Sequence, residues 1–288
     1  MAAVNIAFTK MSGAGNDFVV VDNRRHILKD DLSTFVQAVS HRRTGIGADG
    51  VLILQQSSRA DFLMSYYNSD GSFGGFCGNG GRCIARYALL NGIAPAHLTF
   101  EALDQIYHAE VQGARVRLKM MTPRDQRLGL VLQWNNKVLK AHALNTGAPH
   151  VVIFLDENPG LATTDLASVD LFNLGRKIRF DPFFGIEGTN VNIVAVNDDG
   201  SLGIRTYERG VEAETLACGT GSVAAALIAS KVKALRSPQK VIPLSKEPLT
   251  VEFLALEDGF ADVYLVGDTQ VIFNGQLRYD SDVHRLME

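Results

Sequence analysis

Cysteine is scarce in this chain: three residues in 288, at Cys77, Cys83 and Cys218. So sparse and odd a count argues against a disulfide framework and for a reducing compartment, so a cytoplasmic protein is expected. No two cysteines stand at the short spacings on which zinc sites are commonly built, and no metal is expected. Long apolar runs are also missing. No stretch approaches the roughly 18 residues of a membrane span, and Met1 to Met11 lacks the basic-then-apolar order of a signal peptide. Nor is there an excess of either charge: 28 Lys and Arg against 31 Asp and Glu leave a net charge of −3. That removes the electrostatic footprint of a nucleic-acid or anionic-membrane binder. Small molecules and further copies of the same chain remain as partners. No lysine stands in a motif that suggests a pyridoxal Schiff base.

What the chain does have is a motif used twice. Cys77-Gly78-Asn79-Gly80 and Cys218-Gly219-Thr220-Gly221 lie about half a chain length apart, each before an apolar or amphipathic segment. Each reads as a cysteine on a glycine-rich turn that opens a helix. The first N–H groups of a helix have no internal partner and its dipole is positive at that end, so a thiolate is favoured there and an anion binds there. Buried cysteines are most often small hydrophobes. Two of three in one local motif point instead to a shared chemical role.

Along the chain, Ile6 to Asp22 reads as strand, turn, strand, with the turn at Ser12 to Asn16. A helix follows, with Asp31 as its cap, Leu32, Phe35, Val36 and Val39 as its apolar face, basic residues in its last turn and Gly45 as its end. Gly45-Ile46-Gly47-Ala48-Asp49-Gly50 has the spacing of a dinucleotide fingerprint. That motif needs a strand before and a helix after, and here the order is reversed. Strands are expected at Val51 to Leu54 and up to Tyr67, then the Cys77 helix to about Asn91, then alternating strands over 98–121. The pattern breaks around Pro123 to Gly129, where the domain change is placed.

The second half replays the first. Gly147-Ala148 leads to Asp156 as Gly13-Ala14 leads to Asp22; Leu166 falls opposite Leu32, Gly185-Ile186 opposite Gly45-Ile46, and Tyr207 opposite Tyr67. An ordered series of this kind is the signature of a duplicated domain. The expected fold is α/β (α+β), with residues 1–121 as the first half, joined by 274–288, and residues 122–273 as the second. A cleft between the halves, faced by the two cysteine helices, would hold the ligand. The run from Val223 to Ala229, apolar all round, is expected to be buried within its own sheet.

Two long segments carry a resemblance. Asn68-Ser69-Asp70-Gly71-Ser72 through Cys77-Gly78-Asn79-Gly80-Gly81-Arg82-Cys83, and Tyr207-Glu208-Arg209-Gly210 through Cys218-Gly219-Thr220-Gly221, resemble the two signatures of the diaminopimelate epimerases. Gly13 to Phe18, Pro149-His150 and Thr189-Asn190-Val191-Asn192 match as well. The resemblance implies a cofactor-independent isomerase that interconverts LL- and meso-diaminopimelate for lysine and peptidoglycan synthesis. It implies two pseudo-symmetric domains, each a curled mixed sheet around a central helix, and a homodimer. Cys77 and Cys218 would be the acid/base pair, with Cys83 outside it. His150 and Glu208 would tune the thiols and hold the substrate amino group. Asn16, Asn68, Asn190 and Arg209 would recognise the distal end, and the N–H groups of Gly78, Asn79, Gly219 and Thr220 would meet the carboxylate. The chain departs from the family at Gly50, where many members have glutamine, and at Ala148, where many have asparagine. Two other readings stand beside this one: a metal or redox protein using the three cysteines, and a two-cysteine racemase acting on proline or hydroxyproline.

Overall fold

The computed structural model describes residues 4–28, 32–161, 163, 165–280 and 285–287. The chain divides into two compact units, Met1–Leu118 with Gly267–Glu288, and Lys119–Val266. The sequence pattern places these boundaries after residues 121 and 273.

In the first unit the order is β1 (Val4–Gly13), β2 (Asn16–Asp22), α1 (Leu32–Ser40), β3 (Gly50–Gln55), β4 (Phe62–Asn68), β5 (Phe73–Gly75), α2 (Gly78–Leu90), β6 (His97–Ala102), β7 (Gln105–Gln112) and β8 (Arg115–Lys119). β1 and β2 form a hairpin, β2 and β3 run parallel, and β4 is antiparallel to β3 and parallel to β6. Parallel strands covered on both faces read as continuous apolar runs, as Phe18 to Val21 and Val51 to Leu54 do; all eight residues are buried. One face packs on α1 through Val19, Val21, Val51 and Ile53 against Phe35, Val36 and Val39. The other carries α2, which touches β1, β2, β3, β4 and β7.

The second unit repeats this plan with β9 (Arg124–Trp134), β10 (Lys137–Asn145), β11 (Pro149–Phe154), α3 (Leu171–Arg179), β12 (Asn190–Val196), β13 (Leu202–Glu208), β14 (Ala213–Thr215), α4 (Gly219–Val232), β15 (Gln239–Ile242) and β16 (Leu249–Leu256). β10 and β11 form the hairpin, β11 and β12 are parallel, β13 is antiparallel to β12 and parallel to β15. α3 covers one face with Leu171, Leu174 and Ile178. α4 lies on the other and touches β10, β11, β12, β13, β15 and β16. Val223 to Ala229 are all buried, as a helix apolar on every side requires. Each unit is thus a mixed sheet wrapped on a central helix, the α+β arrangement expected. Strand β17 (Gly259–Asp280) pairs with β16 at its start and with β1 at its end, and β18 (Arg285–Met287) pairs with its last residues.

Three local expectations are corrected. α1 ends at Ser40, before the basic residues, because His41 takes over: its Nδ1 accepts from the N–H groups of Arg43 and Thr44, and its carbonyl from that of Gly45. The Asp31 cap lies outside the described residues. Leu166, matched with Leu32 in the sequence repeat, is not its structural counterpart, since Leu32 opens α1. Leu166 starts a 3-10 turn, Leu166–Ser168, and α3 begins at Leu171 with Asp170 as its cap. The segment that follows Pro123 is not a break: β9 begins at Arg124 and runs through Gly129. It pairs with β10 through two irregularities, with Asp125 and Gly129 at positive φ, and its charged residues point to solvent.

Candidate active site

Both expected helix starts are present. Cys77 is the N-cap of α2, with φ −124° and ψ 118°, and its sulfur accepts from the N–H of Gly80 at 3.4 Å. Cys218 is the N-cap of α4 at nearly the same dihedrals, φ −117° and ψ 113°, and its sulfur lies 3.5 Å from the Thr220 hydroxyl. The first intrahelical bonds run from Gly81 to the Cys77 carbonyl and from Ser222 to that of Cys218. Gly78, Asn79, Gly219 and Thr220 therefore present N–H groups ahead of the helix ladder, beside each sulfur. The glycines are there for space. A Cβ on Gly80 would meet Leu52 at 2.9 Å, and one on Gly221 would meet Asn192 Oδ1 at 2.4 Å. Cys83 is buried inside α2, its sulfur 3.0 Å from where a Gly13 Cβ would sit.

In the first unit, Asn16 at the head of β2 is joined to the α2 turn. Its Oδ1 accepts from Asn79 Nδ2 at 2.6 Å and its Nδ2 donates to Asp49 Oδ2 at 3.1 Å, while Asn79 Oδ1 accepts from the buried Arg82. Behind it stands a charged network that sequence reading missed. Asp17 pairs with the buried Lys10 at 2.6 Å and with Arg42 at 2.8 Å, and Arg42 also reaches Asp49. Burial pushes the Asp17 carboxyl up, but hydrogen bonds and charge from Arg42 and Lys10 outweigh it and hold the group at about 2. Asn68, at the end of β4, donates to Ser72 Oγ at 3.0 Å. The absence of a side chain at position 50 has a direct cause: a Cβ on Gly50 would lie 2.4 Å from the Tyr67 carbonyl.

In the second unit the residues meet more closely. His150, buried at the start of β11, reaches Thr220 Oγ1 through Nε2 at 2.9 Å and so is one hydroxyl away from the Cys218 sulfur. Burial, with the charge of Arg209, lowers its pKa to about 3 and keeps the ring neutral. Asn190 opens β12, donating to the Pro149 carbonyl at 3.0 Å and accepting from the Arg209 backbone N–H at 2.8 Å. Glu208, at the end of β13, accepts from Thr215 Oγ1 at 2.7 Å. The Arg209 guanidinium lies 3.1 Å from Glu187, an exposed carboxylate. Sequence reading did not give Asn192 a role. Its signal was an amide two residues on from Asn190 in an otherwise apolar strand, where a buried polar group must have partners.

Among the described residues, no group of three or more His, Cys, Asp or Glu side chains is placed to hold a metal ion, and no helix is long and apolar enough to cross a membrane.

The family model for diaminopimelate epimerase matches residues 8–125 and 142–268. A diaminopimelate epimerase of Chlorobaculum tepidum is 43% identical over 272 residues, covering 93% of this chain and 99% of that one. One of Archaeoglobus fulgidus is 40% identical over 296 residues, covering 96% and 100%. Among solved structures, a hydroxyproline epimerase from Agrobacterium vitis superposes with a TM-score of 0.70 at 13% identity, covering 97% of this chain and 94% of that one. A PhzF-family phenazine biosynthesis protein of Bacillus anthracis gives 0.71, also at 13%, covering 95% and 99%. These structural likenesses speak for the fold. Together, the extent of the family match and the identity to relatives covered from end to end make the chain a member of the diaminopimelate epimerase family.

Proposed function

We propose that this enzyme interconverts LL- and meso-diaminopimelate without a cofactor, with Cys77 and Cys218 as the two acid/base groups. The observation that carries the reading is the paired N-cap geometry: two cysteines with matching dihedrals, each on the glycine-rich first turn of a buried helix. Inverting a stereocentre by proton transfer requires a base on one face of the α-carbon and an acid on the other. A thiolate removes the proton, a thiol on the opposite face returns one, and the reverse reaction exchanges their roles. The charge left on carbon spreads into the carboxylate, and the N–H groups of Gly78, Asn79, Gly219 and Thr220 are the donors for it. Preorganised donors of this kind are worth roughly 3 to 4 kcal/mol each.

His150 and Glu208 would orient the reacting end, while Asn16, Asn68, Asn190 and Arg209 would bind the distal amino-acid end. Arg209 suits a carboxylate because its planar fork pairs bidentately. We also read the enzyme as a cytoplasmic homodimer. The exposed apolar residues Val271, Ile272 and Phe273 on β17 support a second copy as partner, which sedimentation would measure.

The test is incubation with LL-diaminopimelate in deuterium oxide, following the meso isomer and the deuterium at the α-carbon. Wild type should form both. Cys77→Ala and Cys218→Ala should each abolish turnover, since an acid and base acting as a unit fail together, while Cys83→Ala should be mild. Retention of substantial activity by either of the first two would remove that cysteine from the mechanism.

A further inference from the structure

Strand β12 lies between β11 and β13 with buried apolar residues along it, yet it carries Asn192, which is fully buried. A buried amide is costly unless its donors and acceptor are used. Here they are. Asn192 Nδ2 donates to the Val151 carbonyl at 2.8 Å and lies 3.1 Å from His150 Nδ1, while Oδ1 accepts from Thr206 Oγ1 at 3.0 Å. These contacts fix which way the amide faces, because turned over it would set its oxygen against the Val151 carbonyl. The amide therefore donates to His150 Nδ1.

A neutral imidazole that accepts at Nδ1 carries its proton on Nε2. That proton points at Thr220 Oγ1, 2.9 Å away. With the hydroxyl oxygen accepting from the ring, the Thr220 proton is left for another acceptor, and the Cys218 sulfur stands at 3.5 Å. Thr220 is held from behind as well, its carbonyl accepting from Thr146 Oγ1 at 2.9 Å.

We infer that Asn192, His150 and Thr220 form a directed relay in which each donor sets the next, so that the Thr220 hydroxyl is aimed at the Cys218 sulfur and favours its thiolate. In this relay the three side chains are positioning groups: Asn192 and His150 act through the Thr220 hydroxyl, and that hydroxyl acts through Cys218. The relay gives His150 a function while neutral, consistent with its burial. Its catalytic consequence rests on the acid/base reading of Cys218, but the geometry itself can be tested without turnover.

In a Cys77→Ser, Cys83→Ser background Cys218 is the only thiol, and its alkylation by iodoacetamide as a function of pH gives its ionisation midpoint by mass spectrometry. Thr220→Val removes the hydroxyl and keeps the shape; the midpoint should rise by about one to two units, the worth of a hydrogen bond to a charged group. Thr220→Ser should restore it. Asn192→Asp should raise it too, because a carboxylate accepts from Nδ1–H, moves the ring proton to that side and leaves Nε2 to take the Thr220 proton. In the enzyme with all cysteines present, the same variants should lower kcat more than they change KM. A folded Thr220→Val protein with an unmoved midpoint overturns the relay, and if Asn192→Asp does not fold, the valine and serine pair decides alone. A shifted midpoint upholds the relay even if Cys218→Ala keeps turning over, an outcome that would count against the acid/base reading instead.

Discussion

Arg209 shows how much a single side chain's setting matters. Its backbone N–H is tied to Asn190, while its guanidinium pairs, among the described residues, with Glu187, whose side chain is 82% exposed. An ion pair in such an exposed position contributes about 0 to 1 kcal/mol, so a ligand carboxylate can displace Glu187 at little cost. Arg209→Lys keeps the charge but loses the bidentate fork. Steady-state kinetics with diaminopimelate should then show kcat/KM down by about tenfold or more, since a hydrogen bond to a charged group is worth roughly 1.5 to 3 kcal/mol. An unchanged value would place Arg209 outside the site. At this scale the residues that announce themselves in sequence are those on turns and helix starts: Cys77, Cys218 and their glycines. Asn192, Lys10 and Arg42 do not, because their partners lie on other elements; Lys10 meets Asp17 and Gly47, and Asn192 meets His150 and Thr206.

The elements were legible where periodicity and chain geometry agree. Val223 to Ala229 in α4 are apolar on every side and buried on every side; α2 stops at Leu90 because Asn91 caps it and Gly92 takes positive φ. They were less legible where a local hydrogen bond or a bulge decided the outcome, as at His41 and in β9. The added residues between β11 and α3 hid the true partner of Leu32. There Arg205 on β13 donates to the carbonyls of Leu166, Ala167 and Val169 while pairing with Glu214, a staple no local pattern reveals. α3 itself sits very close to β13: a Cβ on Gly175 would lie 2.5 Å from Tyr207 Cβ and 2.6 Å from its Cγ. Those atoms are the stiff root of a buried side chain, so they do not yield as a flexible tip would. Gly175→Ala gains about 1 kcal/mol of helix propensity, yet overpacking costs roughly 1 to 3 kcal/mol. The net expectation is a loss of stability, seen as a lower denaturant midpoint, and a variant as stable as wild type would mean that α3 shifts freely on its strand.

For the whole molecule, the duplication was visible as an ordered series of matched residues, and it is present as two units with the same strand connections. What the series did not reveal is that one strand serves both. β17 is 22 residues long: Val266, Leu265 and Tyr264 pair with β16 in the second unit, and residues from Thr269 to Tyr279 pair with β1 in the first. The first unit is therefore discontinuous in sequence and the second is not. Ending the chain after Val266 removes all ten pairings of β1 with β17 and the Tyr279 ring, which packs edge-on to Phe35 at 5.1 Å. Phe8 and Ile6 lose cover at the same time, and several buried apolar side chains at about 1.5 to 3 kcal/mol each exceed the margin by which domains are usually stable. The second unit keeps its β16 pairing, its α4 core and the Asn192, His150 and Thr220 contacts. Hydrogen exchange on the truncated chain should show β2, β3 and α2 unprotected while β11, β12 and α4 stay protected. Equal loss of protection in both sets would mean that the units fold only together.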